Sequence, residues 1–259
     1  MSEDGIERDG LKPGDVVVVT GGGGGFGRAF AKRFARAGAR IAVWELNPES
    51  GAETERQVKA LGGEARFFRV DLSKASDIEA AARETLAVFG APYCLVNNAS
   101  VYPRGEVLDL SPEAWDLTFR VNLTAPFLVV KAFGPAMIEK KRGVVINISS
   151  GRALEGAPKG ANYAASKAAL LSLTKSLALE WAKHRIRVNA IIPGQSLTAM
   201  PLENTSEAAM HAKAAVENPL GRVGYPEDMA GLAMFLASSD AAYMTGQGVA
   251  MNGGAVLAP

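Results

Sequence analysis

Residues 20–27 read TGGGGGFG: a threonine, five consecutive glycines, a phenylalanine and a sixth glycine. Each glycine costs roughly 0.5–1 kcal/mol of folding free energy relative to alanine through lost chain entropy, so a run this dense marks a place that needs bare backbone. The run follows an apolar β-branched stretch, VVVVT at 16–20, and opens FGRAFAKRFARAG, in which Phe26, Phe30, Phe34 and Ala37 recur every three or four residues. That spacing lays an apolar stripe of a helix against a sheet. A glycine-rich turn between strand and helix lets a pyrophosphate approach the amide groups at the helix N-terminus. Two spacings fit the run: T-G-x-x-x-G-x-G through Gly21, Gly25 and Gly27, and T-G-x-x-G-x-x-G through Gly21, Gly24 and Gly27.

Outward from the run, further short strands are expected at 40–45 (RIAVWE), 65–70 (ARFFRV), 93–97 (YCLVN), 144–149 (VVINIS), 186–192 (IRVNAII) and 248–252 (GVAMN), with amphipathic stretches between them. Strands apolar on both faces alternating with helices predict a single-domain α/β, doubly wound fold: a seven-stranded parallel sheet with helices on both faces. Such sheets bind ligands beyond the carboxyl ends of their strands, where strand order reverses. Residues 1–14 read as a polar leader and 15–259 as one catalytic domain. Within it 199–219, AMPLENTSEAAMHAKAAVENP, is polar, flanked by prolines and suited to a helical cover over a site.

The chain has 259 residues, 48% of them hydrophobic and 21% charged, which is the composition of an ordinary globular protein. Lys plus Arg number 28 against 27 for Asp plus Glu, so no basic surplus points to nucleic acid or acidic membranes. The start is acidic and no apolar run is expected to reach the ~18 residues of a membrane span, which argues against a signal peptide or a membrane span. Cys94 is the single cysteine, which excludes an intrachain disulfide and suggests a reducing, cytoplasmic setting. His184 and His211 lie in no cluster with ligand spacing, so no metal site is expected.

Glu45 ends the second strand, 18 residues past Gly27, close to the ~20 expected of an acid that accepts hydrogen bonds from the adenosine ribose hydroxyls. A carboxylate there repels a 2′-phosphate, and neither Gly24 nor Leu46 offers the positive charge such a phosphate needs. NAD rather than NADP follows. Farther along, Tyr163 and Lys167 stand four apart, on one face if their segment is helical. The pair alone is a weak motif, but hydride transfer between an alcohol and a nicotinamide requires a proton to leave or join the oxygen. A phenol with pKa ≈ 10 is a poor base at neutral pH. A neighbouring ammonium, with the nicotinamide's positive charge, favours the phenolate; a shift of ~2–3 units corresponds to roughly 3–4 kcal/mol. Ser150 can hydrogen-bond the same substrate oxygen.

With TGGGGGFG, VDLS at 70–73, NNAS at 97–100, VNLT at 121–124, NISS at 147–150, YAASK at 163–167, RVNAIIPG at 187–194 and PLGRVGYPED at 219–228, the chain resembles the short-chain dehydrogenases/reductases over nearly all of residues 15–254. Smaller members use T-G-x-x-x-G-x-G and place the serine 13 positions before the tyrosine, as Ser150 and Tyr163 stand here. The resemblance therefore selects Gly21, Gly25 and Gly27, and leaves Gly22 to Gly24 without a physical account. It implies a catalytic set of Asn122, Ser150, Tyr163 and Lys167: Asn122 holding a water that links Lys167 to solvent, Ser150 orienting the carbonyl, Tyr163 transferring the proton, and Lys167 gripping the nicotinamide ribose. It further implies that Phe26, Leu46, Asp71 and Leu72 contact the adenosine end, that Asn98, Ala99 and Ser100 line the path, and that Pro193, Gly194, Ser196 and Thr198 hold the nicotinamide end. Family members usually form homotetramers through helices like those at 111–140 and 161–183.

Two positions depart from the family pattern: Ser100 replaces the usual glycine of N-N-A-G, and PGQSLT is more polar than the usual segment. The substrate is a small alcohol or ketone lined by Ser150, Arg152, Tyr102, Gln195 and Met200, with Arg104, Leu154 and Leu202 nearby. Arg152 suits an anionic substrate and Met200 an apolar one. The expected activity is NAD-dependent interconversion of a secondary alcohol and a ketone, with an NADP-dependent ketone reductase, an epimerase or dehydratase, and a non-catalytic NAD-binding regulator as rivals.

Overall fold

The computed structural model describes residues 9–202 and 205–257. Among them seven strands, β1 (Val16–Thr20), β2 (Arg40–Glu45), β3 (Glu64–Arg69), β4 (Cys94–Asn97), β5 (Gly143–Ile148), β6 (Ile186–Pro193) and β7 (Gly248–Met251), form one wholly parallel sheet in the order β3-β2-β1-β4-β5-β6-β7. The helices are α1 (Gly25–Arg36), α2 (Pro48–Ala60), α3 (Ala75–Phe89), α4 (Pro112–Phe119), α5 (Ala125–Lys140), α6 (Arg152–Glu155), α7 (Ala161–Trp181), α8 (Ala199–Leu202), α9 (Glu207–Glu217) and α10 (Pro226–Ala237). The seven-stranded parallel sheet matches the architecture expected from the sequence, and each strand lies within a residue of its expected place.

Alternate residues of one strand feed opposite cores, because successive side chains leave a strand on opposite faces. Val17 and Val19 pack with Phe30 and Phe34 of α1 and with Met229, Ala233 and Leu236 of α10. Val16 and Val18 pack on the other face with Trp44, Ile78 of α3, Phe133 and Met137 of α5, and Leu177 of α7. Trp44 keeps its polar edge satisfied by donating from Nε1 to Thr85 Oγ1 at 3.0 Å. Only the outer strands read differently: β3 alternates buried Ala65 and Phe68 with exposed Glu64, Arg66 and Arg69, as an edge strand does.

Two expectations need correction. The helical run Pro112–Lys140 is long and apolar enough by length and composition to cross a bilayer, although no such run was expected; half of its most apolar window is buried in this fold, which marks the core helix of a globular domain. The leader boundary at 14 also falls too late. Leu11 N–H donates to Ala237 O at 2.9 Å, and Arg142 binds Asp9, Asp15 and the carbonyl of Gly10 while its guanidinium covers the Tyr93 ring. Residues 9–14 thus tie the end of α10 to the start of β5, and residues 1–8 of the expected leader lie outside the described residues.

Candidate active site

Strand order reverses between β1 and β4, and a cleft of about 1000 Å³ opens over their carboxyl ends. Thr20 sets its floor: the hydroxyl donates to Val96 O and accepts from the amides of Asn98 and Ala99, while Asn98 Nδ2 donates to the carbonyls of Thr20 and Gly21. This cross-tie between strands was invisible in the sequence, where Thr20 marked only the start of the glycine run.

The glycines that follow are required for different reasons. Gly21 and Gly25 have φ of 61° and 47°, the left-handed region that side chains avoid. A Cβ on Gly27 would lie 2.0 Å from Gly21 O, so this glycine lets α1 start against the turn; Gly27 itself does not reach the cleft wall. The structure accounts for two glycines that the sequence left unexplained. A Cβ on Gly22 would meet Val43 Cγ1 at 2.8 Å, and one on Gly23 would meet Ser50 Oγ at 2.4 Å and the Glu45 side chain at 2.7 Å. Gly24 faces open space in extended backbone. The first turn of α1 carries no acidic residue while Arg33 and Arg36 close its last turn, so the N-terminal end stays favourable to an anion.

At the end of β2 the Glu45 carboxylate accepts from three amides: Gly23 at 3.0 Å, Leu46 at 2.9 Å and Asn47 at 3.0 Å. Together with Leu46, Asp71 and Leu72 it lines one end of the cleft, beside Gly21, Gly24, Gly25 and Phe26. The nearby cation Arg28 is committed elsewhere, donating to Gly23 O, Ser50 O and Thr54 Oγ1. The cleft's size, its glycine cradle and the acid at one end fit a dinucleotide.

The lining also includes Asn98 and Ala99 beside Gly21, Thr198 beside Gly25, and Ser100, Ser150, Tyr163, Lys167, Pro193, Gly194 and Ser196. Lys167 is 2% exposed, with Nζ donating to Ile148 O at 2.8 Å and lying 5.7 Å from the Tyr163 ring centroid. Ser149, the residue before the expected serine, secures this part of α7 by donating to Lys167 O. Tyr163 stacks on Tyr102, centroids 4.2 Å apart, and Arg104 caps the far side of Tyr102 at 4.6 Å. Gly160 makes room for that stack, since a Cβ there would lie 2.2 Å from the Tyr102 hydroxyl.

Electrostatics here differ from the sequence expectation. Burial pushes the Tyr163 phenol above its ordinary value and outweighs the hydroxyl of Ser150, the charge of Arg152 and the hydroxyl of Ser100, which all favour the phenolate. Burial also pulls the Lys167 ammonium down to about 7. In the chain alone the ammonium is therefore easily discharged, and the serines rather than Lys167 ease ionisation of Tyr163. The sign for stability follows: between pH 7 and about 10 the unfolded lysine holds a proton that the folded one lacks, so stability rises with pH in that window. Chemical denaturation of the cofactor-free protein should show a gain of up to about 1.4 kcal/mol per pH unit, flattened in Lys167→Met.

Asn122 is not brought to the cleft wall. It lies fully buried in a π-helical turn, Arg120–Thr124, between α4 and α5, its carboxamide bonded to Ser100, to the backbone of Val101 and to Ser166. Tyr102, Arg152, Gln195 and Met200 do line the cleft, and Arg152 lies 3.6 Å from Glu155. The segment expected as a cover forms α8 and α9; Met210 and Ala214 of α9 pack on Val223 and Leu197, and Thr205, Lys213 and Glu217 join the cleft lining. Glu203 and Asn204 of that segment lie outside the described residues.

A family model described as enoyl-(acyl carrier protein) reductase matches residues 22–256. The chain belongs to the short-chain dehydrogenase/reductase family. Members of this family are oxidoreductases that bind a nicotinamide cofactor. Among the relatives of this dehydrogenase/reductase, 2-(S)-hydroxypropyl-CoM dehydrogenase 3 of Xanthobacter autotrophicus is 36% identical over 93% of this chain and 96% of the relative. A 2,5-dichloro-2,5-cyclohexadiene-1,4-diol dehydrogenase of Sphingobium indicum is 35% identical over 93% and 96%. A crystal structure from Beutenbergia cavernae, provisionally assigned as an NAD(P)-dependent gluconate 5-dehydrogenase and holding NADP at low occupancy, is 37% identical, covers 94% of this chain and 97% of its own, and superposes with a TM-score of 0.89.

Proposed function

We propose that the protein is an NAD-dependent dehydrogenase of secondary alcohols, interconverting alcohol and ketone with Tyr163 as the acid/base. The observation that carries this reading is the lining of one cleft: Ser150 and Tyr163 stand on it together, with the buried Lys167 ammonium 5.7 Å from the Tyr163 ring. When bound, the nicotinamide supplies the hydride acceptor or donor. The amides of the glycine turn bind the pyrophosphate, and Glu45 accepts the ribose hydroxyls. Ser150 donates to the substrate oxygen and holds it against Tyr163. In oxidation the phenolate of Tyr163 takes the alcohol's proton as the carbon loses hydride; in reduction the phenol returns it.

Support for NAD comes from Glu45 at the ribose end, from the absence of a basic side chain at positions 24 and 46, and from Arg28 being turned onto Gly23 O, Ser50 O and Thr54. The NADP in the Beutenbergia cavernae structure favours a second reading, an NADP-dependent ketone reductase. The test is to mix the purified protein with NAD or NADP and a panel of neutral and anionic secondary alcohols, and to follow reduced nicotinamide absorbance. NAD is expected to give the higher kcat/KM. Replacing Glu45 by Ala together with Leu46→Arg removes a repelling carboxylate and adds a phosphate-binding guanidinium, and should move the NAD/NADP preference about 100-fold toward NADP. An unchanged ratio would show that Glu45 does not read the ribose. Activity confined to anionic alcohols and lost in Arg152→Ala would assign Arg152 to the substrate.

A further inference from the structure

Tyr102 lies where two segments distant in the chain meet, and both of its neighbours are fixed. Asn122, fully buried, accepts from Val101 N–H at 2.9 Å and donates to Val101 O at 3.0 Å. Asn162, also fully buried, donates to Pro103 O at 3.1 Å, and Gly105 N–H donates to Lys159 O at 3.1 Å. Pro103 itself disfavours helical backbone at Tyr102. Residues 101–105 are thus moored to the start of α7, where Tyr163 directly follows Asn162.

The side chain completes the join. The Tyr102 ring lies on the Tyr163 ring with centroids 4.2 Å apart and planes 16° from parallel, and the Arg104 guanidinium lies over Tyr102 at 4.6 Å. Stacked rings resist tilting, and a cation over Tyr102 holds that ring further. Gly160 gives it space: the backbone there has φ of −158°, outside the left-handed region, yet a Cβ would lie 2.2 Å from the Tyr102 hydroxyl and 2.6 Å from its Cε2. Glycine at 160 is required by the Tyr102 ring and not by the conformation of its own chain.

We propose that Tyr102 is a positioning residue for Tyr163: its ring fixes the plane in which the phenol presents its hydroxyl to the substrate oxygen, and Gly160 admits it. The proposal rests on reading Tyr163 as the acid/base. Tyr102 takes no proton and forms no bond in the step. A phenol free to tilt would still ionise, but its oxygen would spend part of its time off line from the alcohol, and proton transfer needs that alignment. The contribution therefore falls on kcat and not on coenzyme affinity.

The experiment combines kcat, KM, NAD titration and thermal melting, with NAD and the best secondary alcohol of the panel. Tyr102→Ala should lower kcat about 10- to 100-fold, the range that misplacement of up to about 1 Å costs, with NAD affinity unchanged. Tyr102→Phe keeps the ring and should recover most of that loss. Gly160→Ala drives the ring off from the other side and should lower kcat to the same extent. Adding Tyr102→Ala to Gly160→Ala removes the clash, so melting should return toward the wild type while kcat stays at the level of the single variants. Unchanged kcat in Tyr102→Ala overturns the proposal, and so does higher turnover, which would mean that the ring stands in the substrate's way. A loss in Tyr102→Ala carried equally by NAD affinity and melting overturns it too, as the mark of a structural role alone. Undiminished turnover by Tyr163→Phe overturns the acid/base reading beneath it instead; with that reading intact, Tyr102→Ala should cost nothing further in a Tyr163→Phe background.

Discussion

Tyr163→Phe should lower kcat for alcohol oxidation at least about 1000-fold while the protein keeps its fold and its affinity for NAD. The magnitude is that of a positioned proton-transfer group, which contributes roughly 10²- to 10⁴-fold. Phenylalanine preserves the ring that stacks on Tyr102 at 4.2 Å, so packing around α7 is retained and the loss reads the hydroxyl alone. Steady-state kinetics with the best alcohol of the panel, beside thermal melts and NAD titration, would separate the cases. A variant with normal melting and near-normal turnover would remove Tyr163 from the chemistry. A variant that fails to melt cooperatively would instead show that the hydroxyl supports the site's structure.

The second large effect belongs to the glycine turn. Gly27→Ala places a methyl 2.0 Å from the carbonyl oxygen of Gly21, backbone against backbone, with no flexible neighbour to yield. The turn must open or α1 must move off β1, where Phe30 and Phe34 are fully buried. A loss of about 2–4 kcal/mol in denaturant unfolding is expected, in line with overpacking in a core, along with loss of measurable NAD binding. Gly24→Ala is the control within the same run: its φ of −165° suits any residue and its Cβ would meet nothing within 4 Å. Alanine there should change stability by less than about 0.5 kcal/mol, in whichever direction the lost chain entropy of glycine takes it. Equal damage from both substitutions would mean that chain stiffness, not close approach, governs the turn.

The sheet was legible because runs such as VVVVT and VVINI are buried on both faces, a demand that only β-branched and aliphatic residues meet. The tyrosine, serine and lysine proposed as catalytic were legible because their chemistry and spacing coincide in one short stretch of chain. What stayed hidden depends on tertiary contact. Gly22 and Gly23 are explained by Val43, Ser50 and Glu45, which approach from the next strand and helix. The Tyr102–Tyr163 stack and the hydrogen bond from Ser100 to Asn122 join residues 61 and 22 positions apart respectively, and no periodicity in the chain announces either. Asn122 was placed beside the chemistry by its motif, whereas its carboxamide is committed to Val101 and Ser166 one layer behind the cleft. The helices α6 and α8, four residues each, are too short to write a stripe into the sequence.

Of the six glycines in TGGGGGFG, five are immovable and one is not, and the free one lines the same cleft as Leu46, itself 53% exposed. Glu45 couples foldability to coenzyme preference, because the carboxylate proposed to read the ribose also holds the amides of Gly23, Leu46 and Asn47. Side chains at positions 24 and 46 can therefore change without touching the scaffold, whereas a change at position 45 alters the turn together with whatever it reads.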